Sequence, residues 1–195
     1  MKVIETELPG VLVLEPPVFG DSRGFFQEVW NRRRYAAAGI DVDFVQDNVS
    51  RSTRGVLRGL HFQHPGAQGK LVWVLEGEVY DVALDVRAGS PSFGRWTALT
   101  LSAANHRQFY LPPGFAHGFC VVSESALFAY KCTDFYAPGA EGAVRWDDPD
   151  LAIPWPIENP AVSTKDAAAS RLCDWPVQRL PSYREPTRPE SPEGA

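Results

Sequence analysis

The residues best suited to acid–base chemistry lie close together, between positions 58 and 70. Arg58, His61 and Lys70 bring a rigid guanidinium, an imidazole that titrates near neutral pH and a flexible ammonium within thirteen residues. An imidazole can remove a proton from a carbon beside a carbonyl, and cations can hold the charge that then develops. The segment therefore indicates proton abstraction next to a carbonyl on an anionic substrate.

His61 has two other interpretations that the residues alone leave open. A lone histidine is most often half-buried and bonded to a neighbour. Alternatively, His61 and His64 have HxxH spacing and, with His117, resemble the metal site of a cupin barrel. Metal cupins usually show HxH and a nearby glutamate, whereas Lys70 here adds a positive charge that disfavours a divalent ion. A metal site therefore ranks second, and we expect none.

Further side chains could complete a site for enolate chemistry. Lys70 and His117 could both hydrogen-bond a carbonyl oxygen, although a surface lysine and a turn histidine are the plainer interpretations. Tyr130 and Tyr136 are six residues apart, which places them on one face of an extended strand. They could belong to an aromatic core stripe, but a tyrosine facing a histidine base could also deliver a proton to the substrate's other side.

Asp166 also has two interpretations. The spacing Ser163-x-x-Asp166 fits a capping box at the start of a short helix. Alternatively, the Asp166 carboxylate could bond one nitrogen of His61, fix its tautomer and raise its basicity.

Three cations could pair with phosphate, although each is more often a surface charge: Arg23, Arg58 and Lys165. Arg58 can share a ligand with His61 only under one geometric condition. It lies three residues before His61, which in a regular strand would point the two side chains to opposite faces. Both can reach one ligand only if the strand is irregular at Gly59, so we predict a bulge or bend there.

Composition narrows the class of protein. The chain has 195 residues, which suits one domain with a substantial core. Its net charge of −5 argues against non-specific binding to nucleic acid or membranes. No apolar run is long enough for a membrane span, and the acidic start does not resemble a signal peptide. Three cysteines without a CxxC pair favour a reducing cytoplasm.

Short apolar runs between Gly and Pro turn signals predict an all-β sandwich or barrel of antiparallel strands. The clearest strand covers residues 79–87, where even positions are apolar and odd positions mostly polar. Short helices are predicted at 31–39 and 163–173. We expect one domain over residues 1–180 and a disordered tail rich in Pro and Glu over 181–195.

Seven blocks of sequence, taken together, resemble the dTDP-4-dehydrorhamnose 3,5-epimerases. Their number and order make the match specific, and it extends from about residue 3 to residue 180. The blocks are residues 19–26 (FGDSRGFF), 44–48 (FVQDN), 55–63 (GVLRGLHFQ), 67–70 (AQGK), 114–119 (GFAHGF), 130–133 (YKCT) and 145–149 (RWDDP).

The resemblance implies a metal-free, cofactor-free cupin-type jelly roll, acting as a homodimer that exchanges N-terminal strands. Its implied substrate is dTDP-4-dehydro-6-deoxy-D-glucose, epimerised at C3 and C5 on the route to dTDP-L-rhamnose. His61 matches the general base, Asp166 its orienting partner and Tyr130 the general acid, while Lys70 and His117 match groups around the ketone. Positions that match nucleotide and sugar contacts are Arg23, Glu28, Gln46, Asp47, Asn48, Arg58, Tyr136 (by stacking), Glu141 and Lys165.

Three alternatives remain open at this point. A close relative could act at only one of the two carbons. A metal-dependent cupin oxygenase could use His61, His64 and His117 as ligands. A cupin that only binds sugar nucleotides would use the same surface without turnover.

Overall fold

A computed structural model describes residues 1–184, and antiparallel strands dominate it. The helices are short, and none among these residues is long and apolar enough to cross a membrane. The strands are β1 (Lys2–Glu5), β2 (Leu12–Glu15), β3 (Val18–Asp21), β4 (Gly24–Gln27), β5 (Gln46–Thr53), β6 (Leu57–Gln63), β7 (Lys70–Glu76), β8 (Glu78–Asp85), β9 (Trp96–Ser102), β10 (Gln108–Leu111), β11 (Phe115–Val121), β12 (Ser125–Cys132) and β13 (Glu141–Ala143), and the α-helices are α1 (Arg32–Ala37) and α2 (Thr164–Ala167).

Two sheets form the body of the molecule. One has the strand order β1-β2-β10-β7-β12-β5 and the other β13-β6-β11-β8-β9, while β3 and β4 form a separate hairpin. Phe109 and Phe128 of the first sheet share a buried cluster with Ala83 and Phe119 of the second, so the main core lies between the sheets. The predicted all-β jelly-roll architecture is confirmed.

Strand β8 differs from its predicted pattern of one apolar and one polar face. Asp81 and Asp85 are fully buried, as is Leu84 on the opposite face. The outer face is covered by Leu151 and Leu172 from the C-terminal third of the chain, which form a second core cluster with Leu84. The strand is therefore buried on both sides, and its aspartates need buried partners rather than water.

The two predicted helices are shorter than expected. In α1 the Asn31 side chain accepts a hydrogen bond from the backbone of Arg34, and the helix ends before Gly39. The helix predicted at 163–173 is reduced to the four residues of α2, so the predicted extent is wrong. Beyond it Ser170 forms a bridge to Val144, which takes the backbone into sheet-like pairing.

Contacts with the barrel continue past the predicted boundary at residue 180. Ser182 forms a bridge with Ala88, and the Tyr183 backbone N–H donates to the Ala88 carbonyl at 3.0 Å. The Arg87 guanidinium lies 5.1 Å from the centre of the Tyr183 ring. The rest of the predicted disordered tail, residues 185–195, lies outside the described residues.

The predicted irregularity at Gly59 is confirmed. In the pairing of β6 with β11, His61 lies opposite His117 but Arg58 lies opposite Phe119, so three steps on β6 match two on β11. Gly59 has a φ of +126°, a region that favours glycine. The extra residue forms a bulge that shifts side-chain parity between Arg58 and His61.

Gly59→Ala should lower the free energy of unfolding by about 2 kcal/mol or more. An added Cβ would lie 2.5 Å from the Gly118 Cα and 2.8 Å from the His117 carbonyl oxygen, so backbone would have to move. Urea denaturation measures the change. Gly139→Ala is the matched control because its Cβ meets nothing within 4 Å. Equal stability of the two variants would contradict the close approach of β6 and β11.

Candidate active site

A histidine–carboxylate pair lies at one side of the barrel opening. Strand β6 carries His61 and helix α2 carries Asp166, with His61 Nε2 and Asp166 Oδ1 2.6 Å apart. The His61 side chain is 29% exposed and that of Asp166 only 4%, so the imidazole reaches the cavity while the carboxylate stays behind it. Ser163 Oγ also accepts a hydrogen bond from the Asp166 backbone at 3.0 Å. Both interpretations of Asp166 therefore hold: it lies in the capped first turn of α2, and its carboxylate bonds His61.

The environment of Asp166 keeps it ionised. Burial raises the pKa of this carboxyl, but the hydrogen bond and the charge of His61, followed by Ser163, outweigh burial and leave the pKa below its usual value. An ionised Asp166 accepts the Nε2 proton of His61. Nδ1 is then the ring nitrogen that can accept a proton from a ligand.

A second histidine–carboxylate pair lies deeper in the barrel. His117 Nε2 is 2.9 Å and 3.0 Å from the two carboxylate oxygens of Asp81, and both residues are buried. Burial raises the pKa of Asp81, while the opposite charges of His117 and Lys70 work against the rise. Asp81 was missed as a site residue, because the alternation only placed it on the polar face of a predicted strand. No signal in the alternation itself distinguishes Asp81 from Asp85 on the same face of the strand.

Lys70 and Tyr130 lie on the neighbouring strands β7 and β12. Burial lowers the pKa of the Lys70 ammonium, although nearby acidic groups, Cys132 foremost, oppose the change. Burial raises the pKa of the Tyr130 hydroxyl, Cys132 adds to the rise, and Arg58 opposes it. Near neutral pH Tyr130 therefore keeps its proton and can donate it, and Lys70 gives up its proton more readily than a surface lysine.

Two adjoining cavities meet at three of the predicted residues. His61, Lys70 and Tyr130 line both an outer cavity of about 320 Å³ and an inner cavity of about 200 Å³. The outer cavity is also lined by Gln46, Asn48, Phe62, Gln63, Gln68, Cys132, Tyr136 and Glu141. The inner cavity is also lined by Ser50, Arg58, His117, Phe119 and Phe128.

Arg58 shares the inner cavity with His61, as the bulge at Gly59 permits. Its Nε donates to Ser52 Oγ at 3.1 Å, and this bond holds the guanidinium near the C-terminal end of β5. A positive group is thus held beside both the histidine and the tyrosine of the site.

The rim of the outer cavity is a hydrogen-bonded cluster around Glu141. The Tyr136 hydroxyl donates to Glu141 Oε2 at 2.7 Å, and the Lys165 ammonium pairs with the same oxygen. Gln46 accepts a hydrogen bond from the Tyr136 backbone at 2.9 Å. Each of these groups could exchange its present partner for a polar ligand.

Three neighbouring residues of β5 that were predicted to contact the ligand point alternately to the two faces of the sheet. Gln46 and Asn48 line the outer cavity, whereas Asp47 points to the other face and pairs with Lys131 at 2.8 Å. Asp47 therefore lines neither cavity of its own chain.

Two other predicted contacts lie away from the cavities. Arg23 sits in the β3–β4 hairpin, 2.6 Å from Asp21, and lines a separate groove of about 250 Å³. Glu28 pairs with Arg34 at 3.2 Å. Within one chain these residues do not join the site.

Two glutamines missed from the sequence support the loop that carries Tyr136. Gln63 accepts from the Ala137 backbone at 2.8 Å and donates to the Phe135 carbonyl at 3.1 Å. Gln68 donates to the Asp134 carbonyl at 2.8 Å. No spacing rule in the sequence marks these long-range contacts, which join residues more than 65 positions apart.

His64 stands apart from the other two histidines of the alternative metal site. It lines neither cavity, while His61 and His117 are each bonded to a carboxylate through Nε2. Over residues 1–184, no three His, Cys, Asp or Glu side chains are grouped so that they could hold a metal ion.

The sequence and the fold are similar to those of known epimerases. A family model described as dTDP-4-dehydrorhamnose 3,5-epimerase matches residues 5–174. A dTDP-4-dehydrorhamnose 3,5-epimerase of Shigella flexneri is 53% identical over 89% of this chain and 97% of its own. A dTDP-6-deoxy-D-glucose-3,5-epimerase of Legionella pneumophila, solved with dTDP-4-keto-L-rhamnose, is 52% identical with a TM-score of 0.92, covering 94% of this chain and 98% of that one. A 3'-monoepimerase of Streptomyces bikiniensis, solved with dTDP-quinovose, is 35% identical with a TM-score of 0.84 over 91% and 92% of the two chains.

The buried pair of His117 and Asp81 should show strong energetic coupling. His117→Ala is expected to cost about 3 kcal/mol of the free energy of unfolding, because it leaves the Asp81 carboxylate buried without the imidazole. The double variant His117→Ala/Asp81→Ala should cost at least about 1 kcal/mol less than the sum of the two single variants. Denaturant titration of the four proteins measures this difference. Additive costs would show that the two side chains do not stabilise each other.

Proposed function

We propose, from the premise that this chain belongs to the dTDP-4-dehydrorhamnose 3,5-epimerase family, that it converts dTDP-4-dehydro-6-deoxy-D-glucose into dTDP-4-dehydro-L-rhamnose, a step of dTDP-L-rhamnose biosynthesis. One observation carries the proposal beyond the similarity. A carboxylate-bound histidine, a protonated tyrosine and a half-buried lysine line the junction of two cavities.

In the proposed first step, His61 Nδ1 takes a proton from the carbon beside the C4 ketone. The electron pair of the broken C–H bond forms an enolate, whose negative charge lies on the C4 oxygen. Lys70 donates a hydrogen bond to this oxygen. His117, whose Nε2 faces Asp81, adds a second one from Nδ1 when its ring carries both protons, and Asp166 stabilises the imidazolium formed on His61. No redox change occurs, so the step needs no electron carrier.

In the second step, Tyr130 gives its proton to the carbon from the other side. The positions of the strands support this assignment, because His61 lies on β6 of the five-stranded sheet and Tyr130 on β12 of the six-stranded sheet. The two groups thus approach the cavity from opposite sheets. Protonation on the face opposite to abstraction inverts the configuration of the carbon. The imidazolium of His61 then loses its proton to water, and the phenolate of Tyr130 regains one from water.

The same groups can serve both carbons. C3 and C5 flank the C4 ketone, so one carbonyl acidifies both protons, and one oxygen-binding site stabilises both enolates. Turning or shifting the sugar between the two events brings each carbon in turn to His61 and Tyr130.

The outer cavity is the proposed nucleotide end of the site. Tyr136 offers a half-exposed ring for stacking, and Gln46 and Asn48 offer amides on one wall. Lys165, now paired with Glu141, would turn to the diphosphate, and Arg58 adds positive charge at the inner end.

We further propose a homodimer that exchanges N-terminal strands and thereby brings Arg23 and Glu28 to the partner's site. Phe19, Phe25 and Phe26 of the β3–β4 hairpin are 62%, 64% and 67% exposed, an apolar surface of the kind that protein partners cover. Asp47 faces outward beside Lys131 and would meet ligand or partner only from that side.

Two supporting features concern the surroundings of the protein. The three cysteines carry free thiols in the described part of the chain, which supports the proposed cytoplasmic location. The net charge of −5 argues against nucleic acid or a membrane surface as partner. It is compatible with a small anionic ligand, which needs only a few local cations.

Epimerisation at a single carbon is the second candidate, because the Streptomyces bikiniensis monoepimerase has the same fold. Incubation with dTDP-4-dehydro-6-deoxy-D-glucose in deuterated water separates the candidates. The double epimerase is expected to place deuterium at both C3 and C5 and to form the L-rhamno product. Label at one carbon alone would establish the single-site enzyme, and label at neither would leave only a binding protein.

The same assay tests the proposed acid. Tyr130→Phe should lower the rate of inversion at least about 100-fold, because the group that reprotonates the carbon is lost. Affinity for dTDP, measured by calorimetry, should stay unchanged. Tyr80→Phe is the control, since Tyr80 is half-buried on β8 and lines neither cavity. A loss of dTDP affinity equal to the loss of rate would make Tyr130 a binding group instead.

The pH dependence of the reaction rate should show the loss of the proton from Lys70. Its protonated form holds the enolate, and burial lowers its pKa below the ordinary 10.5. Activity is therefore expected to fall as pH rises through that lowered pKa, while Tyr130, whose pKa is raised, still keeps its proton. Initial rates between pH 6 and about 10.5 measure this alkaline limb. Lys70→Arg should keep part of the activity and move the limb to higher pH. An unchanged limb would assign the titration to another group.

A further inference from the structure

Ser50 is a polar side chain of the inner cavity that the proposed mechanism does not use. It lies on β5 opposite Phe128 and lines the cavity together with Arg58, His117 and Tyr130. Its Oγ is buried and, among residues 1–184, has no hydrogen-bond partner. The equivalent oxygen two residues on, Ser52 Oγ, accepts from Arg58 Nε at 3.1 Å and so is already satisfied.

The surroundings of Ser50 limit what can satisfy it. On its side of the cavity the rings of Phe119 and Phe128 stack with centroids 4.2 Å apart, forming an apolar wall without hydrogen-bonding groups. A hydroxyl removed from water without a partner is unfavourable, whereas a ligand hydroxyl could both donate to it and accept from it. A ligand that presents a hydroxyl next to an apolar group would suit both Ser50 and the phenylalanine rings.

We infer that Ser50 is a specificity-determining residue that hydrogen-bonds a ring hydroxyl of the sugar at the closed end of the cavity. The inference rests on the proposed function, which supplies a 4-keto-6-deoxyhexose as the ligand. That sugar combines hydroxyls at C2 and C3 with a C6 methyl group. The phenylalanine wall is suited to the methyl group. Ser50 is suited to the hydroxyl at C2 or C3, and contact there would hold the ring in a fixed orientation relative to His61 and Tyr130.

Ser50→Ala tests the inference when the sugar is varied as well. On the native substrate the variant should lose about 10- to 100-fold in kcat/KM, because a site built to bond a hydroxyl rejects a mismatched partner. On the 2-deoxy or the 3-deoxy analogue, whichever lacks the bonded hydroxyl, wild type and variant should exchange the C5 proton at equal rates. The other analogue should show the same loss as the native substrate, which identifies the hydroxyl.

Controls separate this role from a structural one. Ser125→Ala makes the same change on β12, the strand paired with β5, but outside both cavities, and should leave all rates within twofold of wild type. Affinity for dTDP alone and thermal unfolding should be unchanged in Ser50→Ala. Loss of the same factor on every sugar, or no loss on the native one, would overturn the inference. Absence of turnover by the wild type would instead overturn the proposed function on which it rests.

Discussion

The site depends on the close approach of β6 and β11 at Gly59 and Gly118. A Cβ at either glycine would clash with the other strand, so the two backbones come this near because both side chains are absent. The bulge at this point reverses the face to which Arg58 and the residues before it on β6 point. Without the extra residue, Arg58 and His61 would project from opposite faces of the sheet. With it, a guanidinium and an imidazole from one strand line one cavity.

Electrostatics inside the barrel follow from this arrangement. His61 and His117 lie opposite each other across the two strands, and each is bonded to its own carboxylate, Asp166 or Asp81. The carboxylates remain on the protein side while the imidazoles face the cavity. Lys70 adds a cation between them, and so the cavity presents positive or proton-donating groups although the whole chain is acidic.

Much of this arrangement could be predicted, and the failures have physical reasons. Chemistry at His61, Lys70 and Tyr130 could be argued from residue type, and the bulge from strand parity. The pairing of His61 with a carboxylate 105 residues away rested on family resemblance beside an equally good local explanation. Asp81 was missed because alternation shows which residues share a face, but not which face points into the barrel. The apolar face with Leu84 is covered by the C-terminal third, and the face with Asp81 points inward towards His117.

Local rules also failed where long-range pairing took over. Helical spacing continues after α2, yet Ser170 leaves the helix to pair with Val144, a contact that no local pattern contains. A helix of four residues has little intrinsic stability, so a single long-range bridge just beyond it is compatible with its early end.

The position of Asp166 has a consequence for biosynthesis on the ribosome. Strands β1 to β12, which supply His61, Lys70, His117 and Tyr130, are all complete by residue 132, but the carboxylate that orients His61 is added 34 residues later. A nascent chain can thus already contain Tyr130, Lys70 and His117 while His61 still lacks the carboxylate that fixes its tautomer. The segment that covers the outer face of β8 also delivers α2, so activity and the last part of the core arrive together. The order of the elements along the chain thus makes the histidine–carboxylate pair one of the last parts of the site to be completed.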